Sequence, residues 1–354
     1  MQVLSAHSMG APFVFEPDSY MKGSASKEPF DLAWACNGCL VMMSMTRGNK
    51  SREQKFQHNV GALKGWLRLW SDELPLRGSN EYQTFEIRPG NYPHLVLLSI
   101  VDGRDSTAEY HTDILTTGAV RNSGAVFVAT LPERALSRLA ELGGSTRDLL
   151  ALVNLVRTSS RTISESTAVA MVEALHRSAF VRAVEHTPGL TVDDDLMSQI
   201  VHGMIAVRTG VTTTPGTFPH SSGDAYTVLN DLDWEGLLVL LRNASAAVAP
   251  IAETAPGTMG PLAMSNEVTI RPYTFMIGAV NSLMTGGGGG VGAIVDRWRE
   301  DGRQASAFPP INLLYYLDFF WDGGSVGSMY TVHRRAGRSA TESAIHQWKA
   351  EQGL

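Results

Sequence analysis

The sequence predicts an α+β fold that is predominantly helical, with a small β portion around residues 82–131. Two observations support this fold class. After Pro132, long segments repeat apolar residues at the three- and four-residue spacing of amphipathic helices. The clearest strand patterns are three short runs, all between residues 82 and 131. With 44% apolar and 18% charged residues, the chain can also bury a substantial core.

Residues 1–80 have a mixed pattern without a clear period. We predict that they form a partly irregular N-terminal segment that reaches a neighbouring subunit, while residues 81–354 form a single helix-rich body. The charges between Met21 and Trp70 are mostly basic, which is typical either of a solvated face or of weak, non-specific contact with RNA or an acidic partner. The basic residues are Lys22, Lys27, Arg47, Lys50, Arg52, Lys55, Lys64 and Arg68, against Glu28, Asp31 and Glu53.

The β portion consists of three predicted strands. Tyr82 to Arg88 alternates bulky and polar residues and ends at Pro89-Gly90. His94 to Val101 and Gly124 to Leu131 are largely apolar runs. Runs of this length suit strands that are covered on both faces of a sheet.

Helices are predicted from Pro132 onward. A proline suits the first turn of a helix, and Gly143-Gly144 ends the first helical stripe. Ser164 to Val184 is the longest candidate, with an apolar stripe through Val169, Val172, Leu175, Ala179 and Val184. The remaining candidates are Ser145 to Val156, Thr191 to Ile205 and Trp234 to Ala252. Two further segments, Glu267 to Met284 and Ile311 to Trp321, are apolar but have no decisive period.

A glycine run near the C-terminal end matches a nucleotide-binding pattern in form only. Gly287 to Gly292 satisfies GxGxxG, but any run of five glycines produces this match readily. A dinucleotide site also needs a preceding strand that opens a βαβ unit, and a P-loop needs a following Lys-Ser or Lys-Thr. We therefore predict a flexible loop here and no bound cofactor.

The chain's only two cysteines form a CxxC motif, Cys36-Asn37-Gly38-Cys39. A redox role would need Cys36 at a helix N-terminus, which Leu40 to Met45 could supply, and Cys39 as the resolving thiol. A zinc site would need two more ligands, and the ten histidines include no H-x3–5-H pair. Ordinary buried cysteines, a redox pair and a metal site are the alternatives; the sequence favours the first, and we assign no metal.

The histidines are scattered and do not form a catalytic pattern. His111 with Asp113, and His220 with Asp224, are local pairs that could serve acid–base chemistry. Neither pair accompanies a recognisable nucleophile. We assign no catalytic residues outside the alternative redox pair, so an enzyme is the less favoured class.

Several function classes are disfavoured by composition. The net charge of −6 does not suit a protein that coats nucleic acid by neutralising phosphates. The N-terminal 20 residues lack the basic start and apolar stretch of a signal peptide, and no run approaches the 18–20 apolar residues of a membrane span. Two cysteines and 14 methionines suit a reducing compartment. We predict a cytoplasmic protein without a membrane partner.

The overall pattern of the chain favours a structural protein that self-assembles over an enzyme. Long helices and short strands joined by Thr/Pro/Gly loops, low charge, many methionines and no catalytic motif together resemble the capsid proteins of totivirus-like double-stranded RNA viruses. The resemblance implies a structural protein that self-assembles with copies of itself into a large homo-oligomer, a viral capsid shell enclosing an RNA genome, located in the virion. The second hypothesis is a cytosolic enzyme with a dispersed active site, in which Cys36 and Cys39 would carry out redox chemistry. The third hypothesis is a module that binds nucleic acid through the basic N-terminal region.

Overall fold

A computed structural model describes the larger part of the chain, and two compact units make up this structure. The first unit contains residues 1–178, 213–218 and 230–234, and the second contains the remainder. Each unit is described by itself. The described residues are 11–36, 38–46, 51–71, 74–88, 92, 94–102, 106–111, 125–159, 162–190, 192, 195, 197–201, 225–253, 263–270, 273–281, 313–321 and 326–334.

The first unit is built around a mixed β-sheet of nine strands. The strands are β1 (Val14–Pro17), β4 (Leu32–Cys36), β5 (Cys39–Thr46), β6 (Leu76–Ser79), β7 (Thr84–Ile87), β8 (His94–Val101), β9 (Thr107–Tyr110), β10 (Ala125–Pro132) and β11 (Ile163–Ser164). Their order across the sheet is β11-β9-β10-β8-β5-β4-β1-β6-β7. A separate hairpin pairs β2 (Tyr20–Lys22) with β3 (Ala25–Lys27).

Three parallel strands form the centre of this sheet. β5, β8 and β10 run in the same direction, and the first residue of each strand aligns with the first residues of its neighbours. Nearly every residue of these strands is buried, because helices cover such a sheet on its faces. Helix α1 (Arg52–Ser71) packs Leu63, Trp66 and Trp70 into a core cluster that also contains residues of β4, β5 and β8.

After β10, five helices have both ends within the described residues, and residues 197–201 are also helical. The five are α2 (Glu133–Glu141), α3 (Thr146–Ser159), α4 (Glu165–His186), α5 (Ala225–Asp231) and α6 (Trp234–Ala252). Gly143, with a φ of 69°, follows α2 in the left-handed conformation that commonly ends helices. α6 is the one described helix long and apolar enough to cross a membrane; 61% of its apolar window is buried inside the protein, as in a core helix.

Asp148 joins the start of α3 to the start of α6. Its Oδ2 accepts hydrogen bonds from the backbone N–H and the hydroxyl of Ser145, both at 2.8 Å, and the Asp148 N–H donates back to the Ser145 hydroxyl at 3.3 Å. This arrangement is a capping box that satisfies donors at the first turn of α3. The other carboxyl oxygen accepts the N–H of Trp234 at 3.2 Å. Beside this joint, the Arg147 guanidinium pairs with the buried Asp231 carboxyl at 3.0 Å.

The second unit contains a four-stranded sheet in the order β12-β13-β14-β15. Its strands are β12 (Ala263–Ile270), β13 (Tyr273–Asn281), β14 (Leu313–Trp321) and β15 (Val326–Arg334). β13 and β14 are parallel, and the outer two strands pair antiparallel with them. The described residues of the two apolar segments without a decisive period in the sequence therefore lie in strands: those of the first segment in β12 and β13, and those of the second in β14.

The prediction of a predominantly helical α+β fold with its β portion around residues 82–131 is wrong, since the fold is α/β with a nine-stranded mixed sheet. The three strands predicted between residues 82 and 131 are confirmed as β7, β8 and β10. The error lies mainly before residue 80, where β1 to β6 form. Leu40 to Met45, a candidate helix in the sequence, is part of β5. It is apolar except for Ser44, because both faces of that strand are covered. β6 pairs with both β1 and β7, so the first sheet continues across residue 80.

Candidate functional site

The CxxC motif lies at a β-hairpin turn. Cys36 is the last residue of β4, Cys39 is the first residue of β5, and the two are direct register partners. Asn-Gly between two strands is the sequence typical of a tight hairpin turn, and Gly38 has the positive φ of 80° that such a turn requires. The spacing of the two cysteines therefore follows from hairpin geometry, and no helix begins between them.

The surroundings of this thiol pair, Cys36 and Cys39, keep the Cys39 thiol protonated. Both residues are buried, at 1% and 4% exposure. Burial raises the pKa of Cys39 to about 12, although the positive charge of Arg147 and a hydrogen bond with Thr146 act in the opposite direction. Reactive cysteines are instead partly exposed thiols with lowered pKa values. The redox alternative stays a prediction, and the environment of the thiols does not favour it.

The sheet also places His94 beside the thiol pair. His94 is the register partner of Cys39 on β8, and its N–H donates to the carbonyl of Gly38 at 3.0 Å. Partial burial, together with the positive charge of Arg147, lowers the pKa of His94. Within the described part of the chain, no three His, Cys, Asp or Glu side chains are grouped so that they could hold a metal ion.

A second polar cluster lies at the opposite end of the parallel strands. Asn59 of α1 is completely buried; it donates to the Ser99 hydroxyl at 2.9 Å and to the Ile100 carbonyl at 3.2 Å, and it accepts from the Thr46 hydroxyl at 2.6 Å. One turn earlier, Lys55 is ion-paired with Asp102, which follows β8. The polar groups of Asn59 are thus used within the protein, so this Asn59 network fixes α1 on the sheet.

The basic residues that could contact RNA lie in different environments in the structure. Lys55 is buried in its ion pair with Asp102 and is not available to a ligand. Lys27, Lys64 and Arg68 are exposed, the first on β3 and the other two on α1. Several residues named in the sequence predictions lie outside the described residues: Arg47, Lys50, Asp113, both His220 and Asp224, and the glycine run. RNA contact stays a prediction.

Helix α4 has two apolar faces, and this is the feature that the sequence pattern missed. Ala168, Val172, Ala179 and Ala183 are buried on one face. At 100° per residue, a second stripe lies on the opposite side of the helix. This α4 outer face consists of the apolar residues Ala170, Ala174, Phe180, Val181 and Val184 and the charged residues Arg177 and Glu185, all exposed to solvent.

The exposure of the α4 outer face is large for apolar side chains. Phe180 is 46% exposed, Val181 is 50% exposed and Val184 is 38% exposed, so three of the six exposed large apolar side chains recorded in the described chain lie within five residues. The spacing of Val184 predicts a position on the buried stripe, and this prediction is wrong because Val184 is exposed. Single exposed apolar residues are ordinary on protein surfaces, but a contiguous group marks an interaction site more often than a scattered set does.

The orientation of α4 at its C-terminal end is fixed by polar contacts to α6. Glu235 is paired with both Arg182 and His186, with the His186 Nδ1 at 3.0 Å from the Glu235 carboxyl. The Thr187 hydroxyl, just after α4, accepts from the Arg242 guanidinium at 2.7 Å. Arg182 and His186 lie on a different side of the helix from Val181, so these contacts do not use the side chains of the α4 outer face.

Comparisons with known protein families, with characterised proteins and with solved structures found no match to this chain.

Proposed function

We propose that this protein is a structural subunit that assembles with copies of itself, and that the α4 outer face is one of its contact surfaces. The observation that carries the proposal is the second apolar stripe of α4, which lies opposite the buried one and is exposed over its whole length. The stripe runs from Ala170 to Val184, about 21 Å of helix at 1.5 Å per residue. An isolated soluble subunit gains nothing from such a surface, because exposing apolar side chains to water is unfavourable.

A second copy of the chain is the occupant that the charges favour. The α4 outer face is apolar in its centre, with Arg177 on one side of Val181 along the helix and Glu185 on the other. A surface that carries both signs of charge around an apolar centre is complementary to itself. Association of identical subunits through the same surface is the commonest form of oligomerisation in soluble proteins.

The most concrete form of this proposal is a capsid shell subunit, as the resemblance to double-stranded RNA virus coat proteins implies. A shell is held together by many modest contacts, each of which need not be strong because a subunit makes several at once. The low charge of the chain, 18% against roughly 25% in ordinary soluble domains, supports extended subunit contacts.

Sedimentation velocity and negative-stain microscopy test the proposal. We expect the purified protein to form dimers or larger particles. The associated fraction should rise with protein concentration between 1 and 100 µM, about two decades that cover micromolar affinities. Val181→Lys should shift the association to at least tenfold higher concentration, because a charge would be buried at the contact. A monomer throughout this range would contradict the proposal.

Leu155→Lys is the matched control for this experiment. Leu155 is an apolar residue of α3 that is 37% exposed and does not belong to the α4 outer face. The substitution therefore introduces the same charge at a similarly exposed helical position. We expect association like that of the unmodified protein, with helix content unchanged by circular dichroism in both variants. Equal loss of association in the two variants would exclude the α4 outer face as the contact surface.

A further inference from the structure

The α4 outer face carries a charge pattern that defines how two copies can meet. Arg177 lies four residues before Val181, and Glu185 lies four residues after it. Residues four apart lie on nearly the same side of a helix, so all three belong to one stripe. Both charged side chains are exposed, and among the described residues neither has an ion-pair partner.

We propose that two copies pair through α4 as antiparallel helices related by a two-fold axis that passes at Val181; this inference rests on the proposed function. A two-fold axis places a residue four positions before the axis opposite the residue four positions after it on the other copy. Arg177 of each copy then faces Glu185 of the other, which makes two ion pairs per dimer. A parallel pairing would instead place Arg177 against Arg177 and Glu185 against Glu185, which is unfavourable.

The apolar residues of the stripe agree with the same arrangement. Val181 of each copy lies at the axis and contacts its own counterpart, and Phe180 and Val184 lie beside it on α4. Ala174 is seven residues before the axis, and the residue seven positions after it is Pro188, also exposed. An apolar pair would thus continue the contact where α4 ends at His186. A small residue such as alanine also permits a close approach of the two chains.

Charge reversal distinguishes the antiparallel pairing from other forms of self-association. Arg177→Glu places two glutamates opposite each other at both ends of the contact, and Glu185→Arg places two arginines there. We expect each single variant to weaken the dimer about tenfold, since exposed ion pairs contribute modestly and two are replaced by repulsions. The double variant Arg177→Glu/Glu185→Arg should recover the original affinity, because opposite charges face each other again. The differences should shrink in 0.5 M NaCl, where the Debye length falls to a few ångströms.

Disulfide trapping gives a second readout that does not depend on charge. A residue on a two-fold axis meets its own counterpart, so Val181→Cys should form a disulfide-linked dimer under mild oxidation. Leu155→Cys is the control and should remain mostly unlinked. The native Cys36 and Cys39 are buried and do not compete for the oxidant.

The outcomes separate this inference from the proposed function. If Val181→Lys prevents association but both charge reversals leave the affinity unchanged, or the double variant fails to recover it, the antiparallel pairing is wrong while self-assembly stands. Absence of a cross-link at residue 181 in a protein that does associate overturns the position of the axis. If the unmodified protein is monomeric at 100 µM, both proposals fail together.

Discussion

We expect Asp148→Asn to remove a large part of the pH dependence of unfolding between pH 5 and pH 8. Burial raises the pKa of Asp148 to about 7 in the folded state, with the negative charge of Asp233 acting in the same direction. The ordinary aspartate value, which applies to the unfolded chain, is 3.8. Between these values the folded protein keeps the proton and the unfolded chain has lost it. Unfolding then releases a proton, so the free energy of unfolding falls as the pH rises through about 7.

The magnitude follows from the size of the shift. Each pH unit over which one proton separates the two states is worth about 1.4 kcal/mol. With a folded pKa of about 7, the contribution lost between pH 5 and pH 8 is about 2 to 3 kcal/mol. Asparagine does not titrate, so the variant should lack this part of the slope. The difference between the two proteins isolates Asp148 from all other titrating groups.

Urea denaturation at pH 5, 6, 7 and 8, followed by circular dichroism, measures this difference. Asp18→Asn serves as the control, because Asp18 is exposed and its removal should leave the slope of the unmodified protein in place. The reasoning is refuted if Asp148→Asn shows the same slope as the unmodified protein. In that case the three hydrogen bonds that Asp148 accepts from Ser145 and Trp234 hold the carboxylate ionised and outweigh the cost of burying its charge.

Four further predictions each concern a single position. Gly78→Ala should destabilise the first unit by about 3 kcal/mol, since its Cβ would lie 2.3 Å from the carbonyl oxygen of Glu16. Gly61→Ala on α1 should stabilise the protein by about 0.5–1 kcal/mol, since nothing lies within 4 Å of the added carbon. Thermal denaturation compares the two alanine variants, and equal effects would contradict the close contact of Gly78 with Glu16. Asn59→Leu should cost about 3 kcal/mol in urea denaturation, because several buried partners lose their hydrogen bonds; a neutral effect would show that the Asn59 network is not needed for stability. The thiol of Cys39 should be alkylated by iodoacetamide at least tenfold more slowly in the folded protein than in urea, and equal rates would show that it is accessible.

The sequence allowed correct prediction where one strong pattern acts alone. Ser164 to Val184 has the length and period of a helix and corresponds closely to α4, and Trp234 to Ala252 matches α6 in full. The strands β8 and β10 were found because polar residues and glycines bound their apolar runs. In each case the local pattern and the tertiary environment require the same structure.

The failures occurred where tertiary contacts decide the structure. β5 contains Leu40, Met42 and Met43 in a run without alternation, and only its position between β4 and β8 makes it a strand. The α4 outer face was missed for a related reason. Alanine and valine suit either side of a helix, so the spacing of Val184 did not show whether it is buried or exposed. The Asn59 network joins residues 46, 59 and 99, whose proximity no local pattern encodes.

The strand order of the first sheet has a consequence for synthesis of the chain on the ribosome. β5 pairs with β4 as soon as their hairpin emerges, but its other neighbour, β8, begins at His94, 48 residues after Thr46 ends β5. During that interval the nascent chain carries a hydrophobic strand with an unpaired edge, which is a template for intermolecular pairing. Helix α1 follows β5 directly and can cover one face, although not the edge. When many copies are synthesised at once, early chaperone binding around residues 39–46 would therefore be a determinant of yield.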